Sequence, residues 1–411
     1  MARYVVSIAA LRRNTAILRE VKKAAGCKLV LALKGFSCWK AFPFIRDDLD
    51  GCCASGLWEA TLAHEKFGKA VVTYSPGYIE PEIDALLEFT THLDFNSLSQ
   101  WFRFREKVIA HPRFRSGDLH CGLRVNPEHS TGSTPLYDPC VPGSRLGITA
   151  DQLEGADLDG LSGLHFHTLC EQDSDDLETT LAAIDVKFGH LLRSPQFTYL
   201  NMGGGHWITK PDYDRERLVR LVRGTREKYA VEVWLEPGEA VAIHTGVLRA
   251  EVLDVFESMG HRHAILDISA TAHMPDVLEM PYRPEVFLAE PSSEFGVQSS
   301  APPRPAVTLG GEAYLPASEP NHSELETLNS ELIHRLGGPT CLAGDVIGDY
   351  VFPRELVPGD TLVFDDMAHY TMVKTTTFNG VPHPSIVLQH EDGRLETIRE
   401  FAYEDFRDRL S

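Results

Sequence analysis

From about residue 10 to residue 265, short runs rich in β-branched residues alternate with amphipathic helical stretches, the pattern of repeated βα units and a parallel sheet. The candidate strands are Lys28–Leu33, Gly51–Cys53, Ala70–Thr73, His92–Asp94, Cys121–Val125, Gly163–His167, Tyr199–Met202 and Val231–Leu235. Leu57–Phe67, Pro81–Phe89, Ser97–Ala110, Asp175–Leu192 and Asp212–Tyr229 read as helices between them. Eight such units predict an α/β fold, a (β/α)8 barrel, whose active site gathers at the C-terminal strand ends. After about residue 240 the long helices stop. Thr245–Val255, His263–Ile268, Cys341–Val346, Thr361–Phe364, Thr371–Phe378 and Ser385–Leu388 then read as strands of a second, mainly β domain. The boundaries are a barrel over 12–245 and a C-terminal β domain over 246–411, joined by an N-terminal strand within 1–11. Glu290–Pro320, rich in Pro, Ser and Gly, reads as a long surface excursion.

With 39 Lys and Arg against 59 Asp and Glu, the net charge of −20 disfavours nucleic acid and anionic membrane as partners. It would attract a cationic substrate, although acidity also serves solubility alone. The eight cysteines form no CxxC pair, which suggests neither a disulfide framework nor a zinc ribbon. The apolar stretch at the N-terminus is too short for a signal peptide, and no segment has the length of a membrane span. A cytoplasmic enzyme with reduced thiols is the expectation.

Lys34 ends the apolar run Leu29-Val30-Leu31-Ala32-Leu33, where an ammonium either snorkels out or is desolvated. Burial would favour the neutral amine, the form that condenses with an aldehyde. Met202-Gly203-Gly204-Gly205-His206 follows a candidate strand, and consecutive glycines let backbone amides approach an anion such as phosphate. Glu236-Pro237-Gly238 follows the next strand, where a carboxylate could face a pyridine nitrogen and make the ring an electron sink. In His165-Phe166-His167 both imidazoles share a strand face. They could ligate a metal, but no third and fourth ligand is evident, so the expectation is no metal and a ring stacked on an aromatic cofactor. Cys341-Leu342-Ala343-Gly344-Asp345 and Asp365-Asp366-Met367-Ala368-His369-Tyr370 place further polar or reactive groups at turns.

Taken in this order, these segments resemble the fold-III decarboxylases that use pyridoxal 5'-phosphate, the alanine-racemase-like barrels that include ornithine, arginine and diaminopimelate decarboxylases. The resemblance covers nearly the whole chain. Leu31-Ala32-Leu33-Lys34, Gly163 to Glu171, Glu236-Pro237-Gly238-Glu239-Ala240, His273 to Pro284 and Met367-Ala368-His369-Tyr370-Thr371 look most like the carboxynorspermidine and carboxyspermidine decarboxylase branch. The resemblance implies that Lys34 binds the cofactor aldehyde, His167 stacks on the ring, Gly203, Gly204 and Gly205 hold the phosphate, Glu236 pairs with the ring nitrogen and Tyr370 reaches the phosphate. It also implies a homodimer with shared sites, in which Cys341, as proton donor, and Asp345 come from the second subunit. Many relatives have a basic residue where this chain has Glu239, so phosphate binding must rest more on backbone amides. Cys170 stands where some relatives use a serine for phosphate, and Cys52 precedes Cys53-Ala54-Ser55 where ornithine decarboxylases have an aspartate. Cys52 is given no role.

The implied reaction is loss of carbon dioxide from a carboxylated polyamine, with Glu239, Asp276, Glu279 and Asp345 as the candidate substrate-binding acids. In this reading Asp276 and Glu279 meet distal ammonium groups through charge-assisted hydrogen bonds. Arg283 could instead clamp a second carboxylate, which keeps diaminopimelate decarboxylation as the alternative. A catalytically silent homologue that binds the cofactor and regulates another enzyme is the alternative of a different class, and its expected mark is loss of Lys34 or Cys341. A barrel racemase would want a tyrosine base opposite the lysine. Carboxynorspermidine and carboxyspermidine differ by one methylene, about 0.8 kcal/mol of burial, which the sequence does not resolve.

Overall fold

The computed structural model describes residues 1–132, 134–280, 282–289, 314–317 and 332–411. The chain divides into two compact units, Leu11–Val241 and Met1–Ala10 with Ala242–Ser411. The first strand, β1 (Arg3–Ser7), belongs to the second of these.

The unit Leu11–Val241 is a closed barrel of eight parallel strands: β2 (Lys28–Ala32), β3 (Gly51–Ala54), β4 (Ala70–Tyr74), β5 (His92–Phe95), β6 (His120–Arg124), β7 (Gly163–His165), β8 (Tyr199–Asn201) and β9 (Glu232–Leu235). Each coincides with an expected strand to within two residues at either end. Apolar runs explain the clearest of them, since strands covered by helices on one side and packed on each other inside have no wet face; in β2, Leu29, Val30 and Leu31 are all at 0% exposure. Closure pairs Lys28 with Trp234 and Leu29 with Leu235. The helices lie where the periodicity places them: Leu98–Ala110, whose N-cap Ser97 accepts from the Gln100 amide at 3.2 Å, Ser174–Leu192 behind an Asp173 capping box, and Arg215–Tyr229. The stretch expected as one helix over 57–67 changes to a π-turn at Ala63–Phe67.

The other unit is built on a ten-stranded sheet containing β10 (Gly246–Ser258), β11 (His261–Leu266), β12 (Val286–Ala289), β13 (Tyr314–Pro316), β14 (Ile333–Gly337), β15 (Val346–Val351), β16 (Thr361–Phe364), β17 (Ser385–Gln389) and β18 (Leu395–Arg399). β1 lies between β10, to which it is antiparallel, and β17, to which it is parallel. Tyr4, Leu248, Leu266, Ile347, Phe352 and Phe364 are among its core residues. Two expected strands are corrected. Cys341–Asp345 is the turn between β14 and β15, because the Asp345 amide bonds back to the Leu342 carbonyl at 2.9 Å. Thr371–Phe378 forms turns despite its β-branched residues, with the Val373 and Lys374 amides both bonded to the Tyr370 carbonyl, at 3.0 and 2.9 Å. The excursion expected over 290–320 lies outside the described residues except for 314–317.

Inside the barrel, Tyr199 occupies the space that side chains on β6 and β7 would need: a Cβ added at Gly163 would lie 2.0 Å from its ring, and one at Gly122 would lie 2.4 Å from its hydroxyl. Gly163→Ala should therefore destabilise the chain by about 1–3 kcal/mol, the usual cost of overpacking. Thermal unfolding of the full-length protein measures it, and an unchanged midpoint would show that the interior yields at no cost.

Candidate active site

The polar residues that interrupt the apolar strands converge at the C-terminal end of the barrel. Lys34 follows β2 by two residues, His165 ends β7 with His167 two further on, Asn201 ends β8 with Gly203 two further on, and Glu236 directly follows β9. The turns after β2 and β9 are joined: the Ala32 amide donates to the Pro237 carbonyl at 3.0 Å, and a Cβ at Gly35 would lie 3.1 Å from the Gly238 Cα. Glycine at both positions lets the segments carrying Lys34 and Glu236 touch.

Glu236 is 7% exposed, and its two carboxylate oxygens have different neighbours. Oε1 accepts from Asn201 Nδ2 at 2.7 Å, while Oε2 faces His165 Nε2 at 3.6 Å and His167 Nδ1 at 4.0 Å. The Gly204 amide donates to His167 Nδ1 at 3.0 Å, so the neutral ring carries its proton on Nε2. Burial, and next the positive charge of Lys34, push the His167 pKa well below its usual 6.5. His167 is thus a neutral ring of fixed orientation. Lys34 itself is exposed, which corrects the expectation of a desolvated amine: Leu33 and Gly35 are buried, but the side chain leaves the apolar run. Its charge acts on both His167 and Cys53.

The three glycines are sterically required. A Cβ at Gly203 would lie 2.5 Å from the Phe166 carbonyl oxygen, at Gly204 2.4 Å from that of Glu236, and at Gly205 2.0 Å from that of Leu169, and Gly203 and Gly205 have φ of +69° and +82°. Their amides are not equivalent. Those of Gly203 and Gly204 donate inward, to Asn201 Oδ1 at 2.9 Å and to His167, so of this run the Gly205 amide is the one turned to other partners. Glu239 is half-buried and accepts from Trp207 Nε1 at 2.8 Å. Cys170 is half-buried, its thiol pushed up to about 11 chiefly by burial, and Cys52 is fully buried, with burial raising its thiol well above the usual range. Neither is set up as a thiolate.

Asn201, Asp94 and Arg124 complete the pocket and were not singled out from the sequence. Arg124 donates to the His167 carbonyl at 3.2 Å and lies 4.6 Å over the Tyr74 ring, and Asp94 Oδ2 faces His165 Nδ1 at 3.3 Å. The signal that flags Lys34, a polar residue ending an apolar strand, applies equally to Asn201. The donor atoms of His165, His167 and Glu236 lie within 4.8 Å of one another; with His167 Nδ1 taken by Gly204 and Glu236 by Asn201, we read them as walls of a cofactor pocket. A lysine amine at the open end, a neutral imidazole, a buried carboxylate and a glycine cradle together fit pyridoxal phosphate.

The remaining expected residues belong to the other unit. Asp345 is 4% exposed and accepts from Ser269 Oγ at 2.9 Å, Thr340 Oγ1 at 2.6 Å and the Thr271 amide at 3.3 Å. Those bonds make it the organiser of the turn bearing Cys341, in place of the substrate contact expected of it. Cys341 is exposed, with its amide donating to Asn379 Oδ1 at 2.9 Å. Tyr370 has φ of +43°, a strained value for a bulky residue. Asp276 and Glu279, expected to be open to a substrate, both pair with Lys374 Nζ, at 2.5 and 3.2 Å. The Arg283 guanidinium donates to the Tyr282 carbonyl at 3.2 Å.

Gly204→Ala should force the Glu236 turn and the His167 ring apart, weakening pyridoxal phosphate binding by about tenfold or more, since 1.4 kcal/mol is a factor of ten and the clash costs at least that order. Equilibrium titration of the apo protein with the cofactor measures the change, and retained affinity would remove the cradle from the argument.

Residues 4–368 match the family of pyridoxal-dependent decarboxylases described by its C-terminal sheet domain. A carboxyaminopropylagmatine decarboxylase of Synechocystis is 42% identical over 408 residues, which cover 99% of this chain and 94% of that protein. A carboxynorspermidine/carboxyspermidine decarboxylase of Campylobacter jejuni is 41% identical over 403 residues, covering 98% and 96%. The crystal structure of carboxynorspermidine decarboxylase from Campylobacter jejuni, complexed with norspermidine, superposes with a TM-score of 0.82 at 39% identity, covering 100% of this chain and 99% of that one. A barrel whose strand ends fit the cofactor, an appended β unit and full-length likeness converge: the chain belongs to the pyridoxal-dependent decarboxylases.

Proposed function

We propose that this decarboxylase acts on a carboxylated polyamine, carboxynorspermidine or carboxyspermidine, in the cytoplasm. The observation that carries the reading is full-length likeness to the Campylobacter jejuni protein, whose structure holds norspermidine, in a chain that keeps Lys34, His167, Glu236 and Cys341. Pyridoxal phosphate, when bound, supplies an aldehyde for the substrate amine and a ring that accepts the electron pair left on Cα as carbon dioxide departs. Lys34 would provide the amine that holds the cofactor. Glu236 would keep the ring nitrogen protonated, His167 would lie against the ring, and the Gly203–Gly205 turn and Tyr370 would be the groups that hold the phosphate. Cys341 returns a proton to Cα from a second copy of the chain; its exposure beside Leu342, itself 44% exposed, and Phe378, also 44% exposed, supports an interface there.

Asp276 and Glu279 against the single charge of Lys374 leave one negative charge unbalanced, which suits a substrate ammonium that competes with Lys374. The Synechocystis relative favours a second reading, carboxyaminopropylagmatine, whose far end is a guanidinium. Diaminopimelate is disfavoured by Glu239 in place of a basic residue and by the engagement of Arg283 with the backbone.

Carbon dioxide release should be fastest from carboxynorspermidine or carboxyspermidine when these are compared with carboxyaminopropylagmatine, diaminopimelate, ornithine and arginine. Preference for carboxyaminopropylagmatine would select the second reading, and preference for an amino acid would overturn both. Lys34→Ala should lower turnover by about 10²–10⁴-fold, and normal turnover would displace Lys34 from its role. Co-expressing Lys34→Ala and Cys341→Ala chains should restore part of the activity if sites are shared; two inactive chains that stay inactive together would count against the dimer.

A further inference from the structure

Behind Glu236 lies a buried row of charged groups that the reaction as described does not use. Asp94 is 0% exposed and His165 2% exposed. Asp94 Oδ1 accepts from the Tyr199 hydroxyl at 2.7 Å, and its backbone carbonyl accepts from the Tyr78 hydroxyl at 3.2 Å. Its Oδ2 faces His165 Nδ1 at 3.3 Å, and on the far side of the ring His165 Nε2 faces Glu236 Oε2 at 3.6 Å. The Tyr74 ring stands edge-on to the imidazole at 5.3 Å, and the Arg124 guanidinium lies 4.6 Å over that ring.

The proton count decides what this row does. Two carboxylates and a neutral imidazole offer one ring N–H to two acceptors, and whichever nitrogen is bare would point its lone pair at a buried carboxylate oxygen. Such an arrangement is costly in a low-dielectric interior. On the Glu236 side, the lone pair of His167 Nδ1, 4.0 Å from that carboxylate, is engaged by the Gly204 amide, and Asn201 is on the other oxygen. Lys34 acts on His167 from the exposed end, and Arg124, the register partner of His165 on the adjacent strand, spends its guanidinium on the His167 carbonyl and the Tyr74 ring.

We propose that Asp94, His165 and Glu236 together hold one proton more than two carboxylates and a neutral imidazole, so that an imidazolium at His165 is held as an ion pair between the two acids, at 3.3 and 3.6 Å, and is the positioning residue that fixes the Glu236 carboxylate. The proton belongs to the trio as a coupled unit. The clamp keeps Glu236 an acceptor of fixed direction without solvent, whatever substrate enters. It rests on the reading of Glu236 as the partner of the cofactor ring and not on the identity of the polyamine.

The test uses the full-length chain, with histidine ring nitrogens labelled with ¹⁵N, before and after loading with pyridoxal phosphate. At neutral pH the His165 ring, identified by the signals missing from His165→Gln, should show two protonated nitrogens, and Asp94→Asn should return one to the bare form. In the loaded enzyme, His165→Gln should move the pH at which the cofactor's visible band titrates by about one unit or more and lower kcat by about 10–100-fold, as loss of an outer partner does elsewhere, with KM changed less than about threefold. A wild-type ring with one bare nitrogen, or a His165→Gln enzyme with unchanged band titration and kcat, overturns the proposal. Should His165→Gln fail to fold, a doubly protonated ring that loses one proton in Asp94→Asn identifies His165 and supports the proposal, and the lack of any such ring overturns it. A wild-type enzyme that shows the clamp but decarboxylates no polyamine acid refutes the substrate reading and leaves this inference standing.

Discussion

Pairing of the first barrel strand with the last is the constraint on which the site depends. Where β9 meets β2, the segment after each strand is carried onto the other, and the Ala32 amide bonds to the Pro237 carbonyl at 3.0 Å. Lys34 and Glu236, about 200 residues apart in sequence, become neighbours through a backbone contact that only glycine at 35 and 238 leaves room for. Neither residue alone marks a cofactor site. The closed barrel turns a lysine at one strand end and an acid at another into a pair with a defined separation, and the hydrogen-bonded ladder of β2 to β9 makes that separation stiff.

Around this pair the chain consistently spends its own polar groups on orientation. Asn201 holds one oxygen of Glu236 and, through its carbonyl, the Gly203 amide, while Gly204 holds His167. Each of these bonds lies within the barrel's polar end, where few waters can substitute and where an unmade bond costs about 1–3 kcal/mol. A ring-binding pocket prepared in this way need not reorganise when charge develops in the reaction, which is the main way a protein assists a cofactor that already carries the chemistry.

The sequence displayed the barrel well because short buried strands, most clearly the apolar runs of β2 and β4, recur eight times between helical stretches. It displayed the second unit less well. There Thr371–Phe378 has the composition of a strand but turns on the Tyr370 carbonyl, and Cys341–Asp345 turns around Asp345, so local hydrogen bonds override β-propensity. Within the site, motif reasoning found the residues at the strand ends and in the turns after them, Lys34, His167, the glycines and Glu236, and missed Asp94 and Arg124, whose importance lies in contacts between strands distant in sequence. It also misjudged two environments. Lys34 is exposed although its run is apolar, because the strand ends at Ala32 and the turn points the side chain outward. Asp276 and Glu279 are paired by Lys374, nearly a hundred residues downstream, which no spacing rule connects to them.

That pairing bears on how a substrate can be chosen. Two polyamine acids that differ by a methylene are separated by about 0.8 kcal/mol of burial, a few-fold at most. An ammonium and a guanidinium differ far more, since the second presents a planar fork that wants two parallel acceptors and the first a point charge satisfied in several directions. The acids at 276 and 279 are already arranged about one amine, that of Lys374, with contacts of 2.5 and 3.2 Å to its single nitrogen. Carboxylates converging on one atom match the geometry of an ammonium better than that of a fork. Within a family whose relatives of nearly equal identity are named for substrates with different ends, selection would then rest, on the function proposed above, on how these acids are directed at the terminal nitrogen, with chain length the weaker discriminator.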